Sequence, residues 1–229
     1  MPNDRKFALV VGGSPRGVSP ELLWELAEGM SFVVAVDSGA EWCLAAGVIP
    51  DLLIGDMDSC SPQSRTAFAQ QEVEEIVFPA DKNASDLELA IDELVRRGFI
   101  DLVATNVTGG RVDHELVALG NLVAAGDRGL AVTAVEPQET LIFMNAHGAR
   151  NHLRLAFGEG LGPENAPTVS LIAWGPAAVV TAQGFKWNLD KHKLLSTSSL
   201  GVSNVPVVGD PQIELHEGAL IVVVQAPAV

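Results

Sequence analysis

Basic residues and cysteines are scarce in this chain of 229 residues. Only 14 lysines and arginines stand against 29 acidic residues, so the formal net charge is −15. Because nucleic acids and anionic membranes are bound by basic faces, we expect neither as a partner. The two cysteines, Cys43 and Cys60, form no CxxC pair and no zinc-type cluster. We therefore expect the free thiols of a cytoplasmic protein, with a disulfide as the open alternative.

Long apolar runs and the common nucleotide-binding glycine patterns are also missing. No stretch approaches the roughly 18–20 apolar residues of a membrane span, and the run Phe7–Val11 is too short for a signal peptide. Neither GxGxxG nor GxxxxGK[ST] occurs near Gly12 and Gly13, which argues against a nicotinamide-dependent oxidoreductase or a Walker NTPase. A phosphate ligand of so acidic a chain needs well-placed cations or a divalent metal ion.

The first 146 residues alternate short apolar runs with segments of helical periodicity. In the segment Asp86–Arg97 the apolar residues share one face, Ser85 precedes it as a candidate N-cap, and Gly98 follows it. This alternation predicts a doubly wound, mainly parallel α/β domain over residues 1–146. The predicted strands are Phe7–Val11, Phe32–Val36, Leu52–Ile54, Glu75–Phe78 and Ile100–Ala104, and the predicted helices are Glu21–Glu28, Glu41–Ala46, Asp86–Arg97 and His114–Ala125.

Helical periodicity disappears after residue 146. Short β-branched runs separated by Gly and Pro take its place, and they predict a small antiparallel β-sandwich domain over residues 147–229. The predicted strands are Thr168–Ala173, Ala177–Thr181, Gly201–Val208, Gln212–Leu215 and Ala219–Val224.

Acidic residues follow two of the predicted elements of the first domain. Asp56 and Asp58 come directly after a buried strand, and in extended geometry both would point the same way. Two carboxylates on one side suit a hard metal ion, although a polar surface turn explains the pattern equally well. Lys82 and Asp86 stand in a polar loop at a helix N-terminus. This is a place for an anion or a metal ion, or simply for a charge that complements the helix dipole.

A third cluster combines glycines, a cation and a carboxylate. Gly109 and Gly110 would let the backbone approach a phosphate, Arg111 would bind it, and Asp113 could take a metal ion or a substrate hydroxyl. The alternative is a Gly-Gly turn with a surface ion pair. Asp37, at the end of the second strand, is at the position where many related sheets bind ribose.

The second domain offers fewer candidates. Trp187 could stack on a planar ligand or pack in a small core. Ser203 and Asn204 could contact the same ligand or form only a turn.

Together these stretches resemble the thiamine pyrophosphokinase family. The resemblance rests on Asp37–Ala40, on Pro50–Ser59 with its GDxDS pattern, on Lys82–Asp86, on Thr108–His114 with its GGRxDH pattern and on the pieces around Trp187 and Ser203. It implies a homodimer with active sites between subunits. It also implies a Mg²⁺-dependent reaction in which ATP and thiamine give AMP and thiamine diphosphate. Two departures are Ser38, where the family has glycine, and Ser85, where it has threonine.

The resemblance also implies a role for each candidate residue. Metal and catalytic carboxylates would be Asp56, Asp58 and Asp86, with Asp113 as a further catalytic carboxylate; ATP would contact Gly12, Gly13, Asp37, Lys82, Gly109, Gly110 and Arg111; thiamine would contact Asp113, Trp187, Ser203 and Asn204. Two alternatives stay open at this point. One is a pyrophosphokinase for another hydroxymethyl heterocycle, such as a pterin, and the other is a non-catalytic sensor of nucleotide or thiamine.

Overall fold

The computed structural model describes residues 6–158 and 165–226. The chain divides into two compact units. The parallel unit runs to Asn121 and includes Ala134–Pro137, and the antiparallel unit comprises Leu122–Thr133 and the chain from Gln138 onward. This division differs from the expected boundary at residue 146, because the strand at residues 139–145 pairs with the strand at residues 212–225 of the antiparallel unit.

Five strands form the sheet of the parallel unit. They are β1 (Phe7–Val11), β2 (Phe32–Val36), β3 (Leu52–Gly55), β4 (Glu74–Val77) and β5 (Asp101–Thr105). Their order is β5-β1-β2-β3-β4, and every neighbouring pair is parallel. The chain proceeds from β1 to β4 in one direction and returns to place β5 on the other side of β1. The gap between the ends of β1 and β5 is therefore the topological switch point, where such sheets bind ligands.

Five helices accompany these strands. They are α1 (Pro20–Glu28), α2 (Gly39–Ala46), α3 (Pro62–Ala69), α4 (Asp86–Arg96) and α5 (Val112–Asp127). The predicted cap of α4 is confirmed, because the Ser85 hydroxyl accepts the N–H of Glu88. The sequence pattern did not predict α3, whose buried residues are only Ser64 and Phe68. The expected end of α5 at Ala125 was wrong, since the helix continues through Gly126 to Asp127.

Helices cover both faces of the parallel sheet. On one face, Leu9, Val33 and Leu53 pack with residues of α1, α2 and α3 in one hydrophobic cluster. On the other, α4 contacts β2 and β3 through residues that lie outside this cluster. The buried residues of α4 are Leu87, Ala90, Ile91 and Leu94. The prediction of a doubly wound parallel sheet is thus confirmed.

The antiparallel unit contains two long strands. After β6 (Ala131–Val135), which spans the division between the units, come β7 (Glu139–Asn145), β8 (His152–Arg154), β9 (Thr168–Gln183), β10 (Leu189–Leu195) and β11 (Gln212–Gln225). The strand order is β10-β9-β11-β7, with β8 also paired to β11. The expected antiparallel strands are confirmed, but four of them merge in pairs to form β9 and β11. The expected strand at Gly201–Val208 was wrong, since this segment is a series of turns with isolated bridges at Asn204 and Pro206.

Both long strands change their inward face at a glycine. In β9, Val169 and Leu171 point into the core before Gly175, and Ala178 and Val180 do so after it. In β11 the same switch of parity occurs around Gly218, where the pairing register also shifts. Both halves of each strand therefore contribute to one hydrophobic core.

No helix in the described ranges is long and apolar enough to cross a membrane. Both cysteines are free thiols, with Cys43 buried in the core of the parallel unit and Cys60 partly buried.

Candidate functional site

A cavity of about 1030 Å³ lies at the topological switch point of the parallel sheet. Its walls are the loops that follow β1, β2, β3 and β5, together with the first turns of α4 and α5. The cavity contains ten of the residues expected from the sequence: Gly12, Gly13, Asp37, Asp56, Asp58, Asp86, Gly109, Gly110, Arg111 and Asp113. The folding of the parallel sheet thus brings together residues as far apart in sequence as Gly12 and Asp113.

Asp56 and Asp86 converge on one cation. The Lys82 ammonium lies 3.2 Å from Asp56 Oδ2 and 2.9 Å from Asp86 Oδ1, and all three side chains are largely buried. Asp56 follows β3, whereas Lys82 and Asp86 belong to the loop and first turn of α4. The two acidic motifs that the sequence presented separately therefore form one cluster.

Asp37 adds a further carboxyl group to this cluster. It follows β2 with a left-handed backbone (φ 45°), and its Oδ1 accepts the N–H of Met57 at 3.3 Å. Burial, followed by the nearby Asp86 carboxylate, raises the pKa of Asp37 to about 7. The site thus has three carboxyl groups, those of Asp37, Asp56 and Asp86, close to the single ammonium group of Lys82.

Gly55 makes room for this arrangement. A Cβ atom at Gly55 would lie 1.9 Å from Asp37 Oδ1, and the backbone of Gly55 has a positive φ of 150°. Both facts exclude a larger residue at the end of β3. Gly55 thus belongs to the site, because the absence of a side chain there lets the Asp37 carboxyl group lie against the end of β3.

The expected geometry of Asp56 and Asp58 was wrong. The chain is not extended here, because Met57 takes a left-handed conformation (φ 62°) and the N–H of Asp58 donates to Asp56 Oδ1 at 3.1 Å. This N–H is the largest of the influences that lower the pKa of Asp56. Both residues still line the cavity, but Asp58 is exposed and takes no part in the Lys82 cluster.

The other side of the cavity is formed by the loops after β1 and β5. Arg111 binds Asp113 through two hydrogen bonds of 3.1 and 2.6 Å. This pairing lowers the pKa of Asp113. Both side chains are mostly exposed, so the pair can open when a ligand arrives. The N–H of Gly109 is already bonded to Glu115 Oε2 at 3.0 Å, so the glycine loop is held in place by its own helix.

Sequence reasoning missed several residues of the cavity, among them Arg16, Asn106 and Glu115. Arg16 follows β1, Asn106 follows β5, and Glu115 lies in the first turn of α5. Asn106 is fully buried with φ 58°, and its Oδ1 accepts the N–H of Val18 at 2.8 Å. An asparagine directly after a predicted strand was the available signal, because asparagine tolerates left-handed backbone better than most residues.

The three candidates in the antiparallel unit are close to one another. Asn204 is buried, its Nδ2 donates to Trp187 O at 2.7 Å, and its Oδ1 accepts the N–H of Trp187 at 3.2 Å. Ser203 has a left-handed backbone (φ 59°), and the Trp187 ring is exposed with the Lys186 ammonium 4.6 Å from its centroid. Asn204 thus fixes the backbone from which Trp187 projects.

No group of three or more His, Cys, Asp or Glu side chains among the described residues is arranged to enclose a metal ion. This agrees with the observed positions, because Lys82 stands between the two carboxylates that converge. The cluster supplies hard oxygen donors from two sides, which is the set that Mg²⁺ uses when phosphate oxygens complete its coordination.

Family models and a curated relative both match this chain to thiamin pyrophosphokinases. The catalytic-domain model of thiamin pyrophosphokinase matches residues 23–134, and the model of its vitamin B1 binding domain matches residues 160–220. A curated thiamine pyrophosphokinase from Bacillus subtilis is 26% identical over 219 residues, covering 93% of this chain and 96% of the relative.

Solved structures agree in fold. A crystal structure of thiamine pyrophosphokinase from Bacillus subtilis superposes with a TM-score of 0.80 at 21% identity, covering 98% of this chain and 100% of the other. The crystal structure of yeast thiamin pyrophosphokinase gives a TM-score of 0.81 at 14% identity, with coverage of 98% and 88%.

Proposed function

The chain belongs to the thiamin pyrophosphokinase family, and on this premise we propose that it transfers the terminal diphosphate of ATP to the hydroxyl group of thiamine. The products would be thiamine diphosphate and AMP. The observation that carries the proposal is the convergence of Asp56 and Asp86 on one cation inside the cavity at the switch point. A cavity at that place is suited to a nucleotide.

We propose Mg²⁺ as the cofactor. Asp56 and Asp86 would hold the ion directly, and Asp58, which lines the same cavity, would be a third carboxylate ligand. When bound, Mg²⁺ would neutralise charge on the phosphate oxygens of ATP. The excess of carboxyl groups around Lys82 and the raised pKa of Asp37 both support a site that is completed by a further cation.

The residues of this chain would position the reacting groups. Gly12 and Gly13, which line the cavity after β1, would contact the nucleotide, and Asp37 would contact its ribose. Lys82 would contact a phosphate oxygen once a metal ion engages its two carboxylates. Arg111, next to Gly109 and Gly110, would exchange Asp113 for a phosphate. Positioning and charge neutralisation account for most of the catalysis in this type of transfer.

The release of Asp113 from Arg111 suggests how the acceptor is activated. A free Asp113 carboxylate could accept the proton of the thiamine hydroxyl. The hydroxyl oxygen then forms a bond to the β-phosphorus, the bond from the β-phosphorus to the α–β bridging oxygen breaks, and AMP leaves with that oxygen. The pKa of Asp113, lowered by Arg111, would rise towards its usual range as the pair opens, which suits a proton acceptor.

We propose that Trp187 and Ser203 contact thiamine and that Asn204 holds them in place. The exposed Trp187 ring already lies beside one cation, the Lys186 ammonium, and a cationic thiazolium ring would be attracted to an aromatic face in the same way. The bonds from Asn204 to both backbone groups of Trp187 support its role in positioning.

We further propose that the protein is a cytoplasmic homodimer. Val112, Leu116 and Val117 form an exposed apolar strip on α5, and each is more than half exposed. Such a strip is a candidate contact surface between two copies of the chain. The free state of both cysteines supports a reducing compartment.

Incubation with ATP, Mg²⁺ and thiamine, followed by separation of the products, tests the proposal. We expect equal amounts of AMP and thiamine diphosphate, and loss of both in Asp56→Asn. Asp190→Asn, an exposed carboxylate on β10, is the matched control and should keep full activity. ADP with thiamine monophosphate would overturn the mechanism of transfer, and no thiamine-dependent AMP would overturn the function.

A further inference from the structure

The cations around the cavity differ in how far they are already neutralised. Lys82 is shared between Asp56 and Asp86, and Arg111 is paired with Asp113. Arg16 also lines the cavity, but its guanidinium forms no ion pair with any described residue. Arg16 is exposed at the cavity, so its guanidinium is free to meet an anionic ligand there.

The backbone that carries Arg16 is held firmly in place. The N–H of Ser14 donates to Asn106 O at 2.9 Å, and the Ser14 hydroxyl donates to Thr108 O. Trp42 Nε1 donates to Ser14 O at 3.0 Å, and Val18 N donates to Asn106 Oδ1 at 2.8 Å. The loop between β1 and α1 is thus fixed on both sides of Arg16, so its position does not depend on a salt bridge.

The aliphatic stem of Arg16 lies against the glycine loop. A Cβ atom built on Gly109 would meet the Cβ, Cδ and Cγ atoms of Arg16 at 3.0, 3.3 and 3.6 Å. The guanidinium therefore projects from the β1 side of the switch point, next to the loop that carries Arg111. A fixed stem with an unpaired planar donor fork matches the geometry that binds a phosphate group.

We propose that Arg16 binds a phosphate group of the nucleotide, from the β1–β5 side of the cavity opposite the Asp56–Lys82–Asp86 cluster. The inference rests on the proposed function in so far as the ligand is ATP. In this arrangement the carboxylates and their cation would hold the phosphates from one side and Arg16 from the other. Arg111 must break its ion pair with Asp113 before it can bind a phosphate, whereas Arg16 has no ion pair with a described residue to break.

Binding measurements with ATP and with adenosine test this role. Calorimetric titrations would compare the unmodified chain with Arg16→Met, which keeps the stem against Gly109 and removes the charge, and with Arg16→Lys. We expect Arg16→Met to weaken ATP binding by about 10- to 100-fold and to change adenosine binding less than about twofold. Arg16→Lys should recover part of the loss. Arg65→Met, which removes an exposed arginine of α3 outside the cavity, is the matched control and should bind ATP normally.

The outcomes separate this inference from the proposed function. ATP affinity within about twofold of the unmodified chain in Arg16→Met would overturn the inference alone. Equal weakening of ATP and adenosine would also overturn it, because Arg16 would then act only by shaping the loop. An unmodified chain that binds ATP in an Arg16-dependent way but forms no thiamine-dependent AMP would support the inference and overturn the function. A chain that does not bind ATP at all would overturn both.

Discussion

Buried polar side chains serve different purposes in the two units. In the parallel unit, Asp56 and Asp86 converge on the single ammonium of Lys82, and Asp37 lies close to both carboxylates. In the antiparallel unit, the buried Asn204 has its donor and its acceptor matched by the backbone of Trp187. The first arrangement leaves a demand for positive charge that the chain does not meet, and the second is complete without any ligand.

The two units also differ in net charge. The parallel unit has 21 acidic and 8 basic residues, a net charge of −13, whereas the antiparallel unit has 8 acidic and 6 basic residues, a net charge of −2. The acidity of the protein is thus concentrated in the unit that contains the cavity. Substitution of a carboxylate in the cluster should therefore lower activity more than stability. Substitution of Asn204, whose hydrogen bonds are all made within the chain, should lower stability more than activity.

The largest effect is expected at Asp86. Asp86→Asn removes one of the two carboxylates that converge on Lys82, so the rate of thiamine diphosphate formation should fall at least about 100-fold. The melting temperature should stay within a few degrees, because the change also relieves repulsion from Asp37. Steady-state kinetics and thermal unfolding measure the two quantities.

Glu88→Gln is the matched control for Asp86→Asn. It makes the same change of charge in the same turn of α4, but the Glu88 side chain is exposed and does not line the cavity. Its activity should be normal. A similar loss of rate in both variants would mean that the charge at the helix N-terminus matters and the carboxylate cluster does not.

We expect Asn204→Ala to lower the stability of the fold, whereas Asp86→Asn lowers the rate and leaves the melting temperature nearly unchanged. Asn204→Ala removes a buried polar side chain and leaves the partly buried backbone groups of Trp187 without their partners, so the free energy of unfolding should fall by about 2 kcal/mol. For a chain of this size that lowers the melting temperature by roughly 4–8 °C. Thermal unfolding measures the loss, and Thr197→Ala, at an exposed position of the same unit, should show none. An unchanged melting temperature with a raised KM for thiamine would make Asn204 a ligand contact rather than a structural residue.

Much of the fold could be predicted from short-range patterns in the sequence. The site could be predicted only in part. The apolar runs at β1 and β2 and the cap of α4 are local features, and the structure has them where the sequence predicts them. The turn at Met57 was missed because it is accompanied by a hydrogen bond that the Met57 N–H donates to a distant residue, Asp37. No local pattern contains that information.

Distance along the chain explains the other omissions. Arg16 and Asn106 become neighbours only because β5 lies beside β1 in the sheet, and strand order is not encoded in any short segment. In the antiparallel unit, the sequence analysis placed strand ends near Gly175 and Gly218. They instead mark bulges or bends at which β9 and β11 continue with the opposite parity.

The smallest expected effect concerns pH. The pKa of Asp37, about 7 in the folded chain, lies above the ordinary value of 3.8, chiefly because the carboxyl is buried. A raised folded pKa contributes stability that is fully present below about pH 4 and is lost as the pH rises through about 7. Asp37→Asn keeps the acceptor for the Met57 N–H and cannot ionise. It should therefore match the unmodified chain near pH 4 and become more stable by up to a few degrees at pH 8.

Thermal unfolding in a metal chelator, across pH 4–8, measures the difference between Asp37→Asn and the unmodified chain. Mg²⁺ added at pH 8 should reverse the ranking, since the ionised Asp37 then contributes to a site with a balancing cation, whereas asparagine offers only a neutral oxygen. A difference that does not change with pH would show that Asp37 is already ionised in the folded chain. The carboxyl cluster would then be balanced as completely as Asn204 is, and the contrast between the two units would reduce to one of net charge.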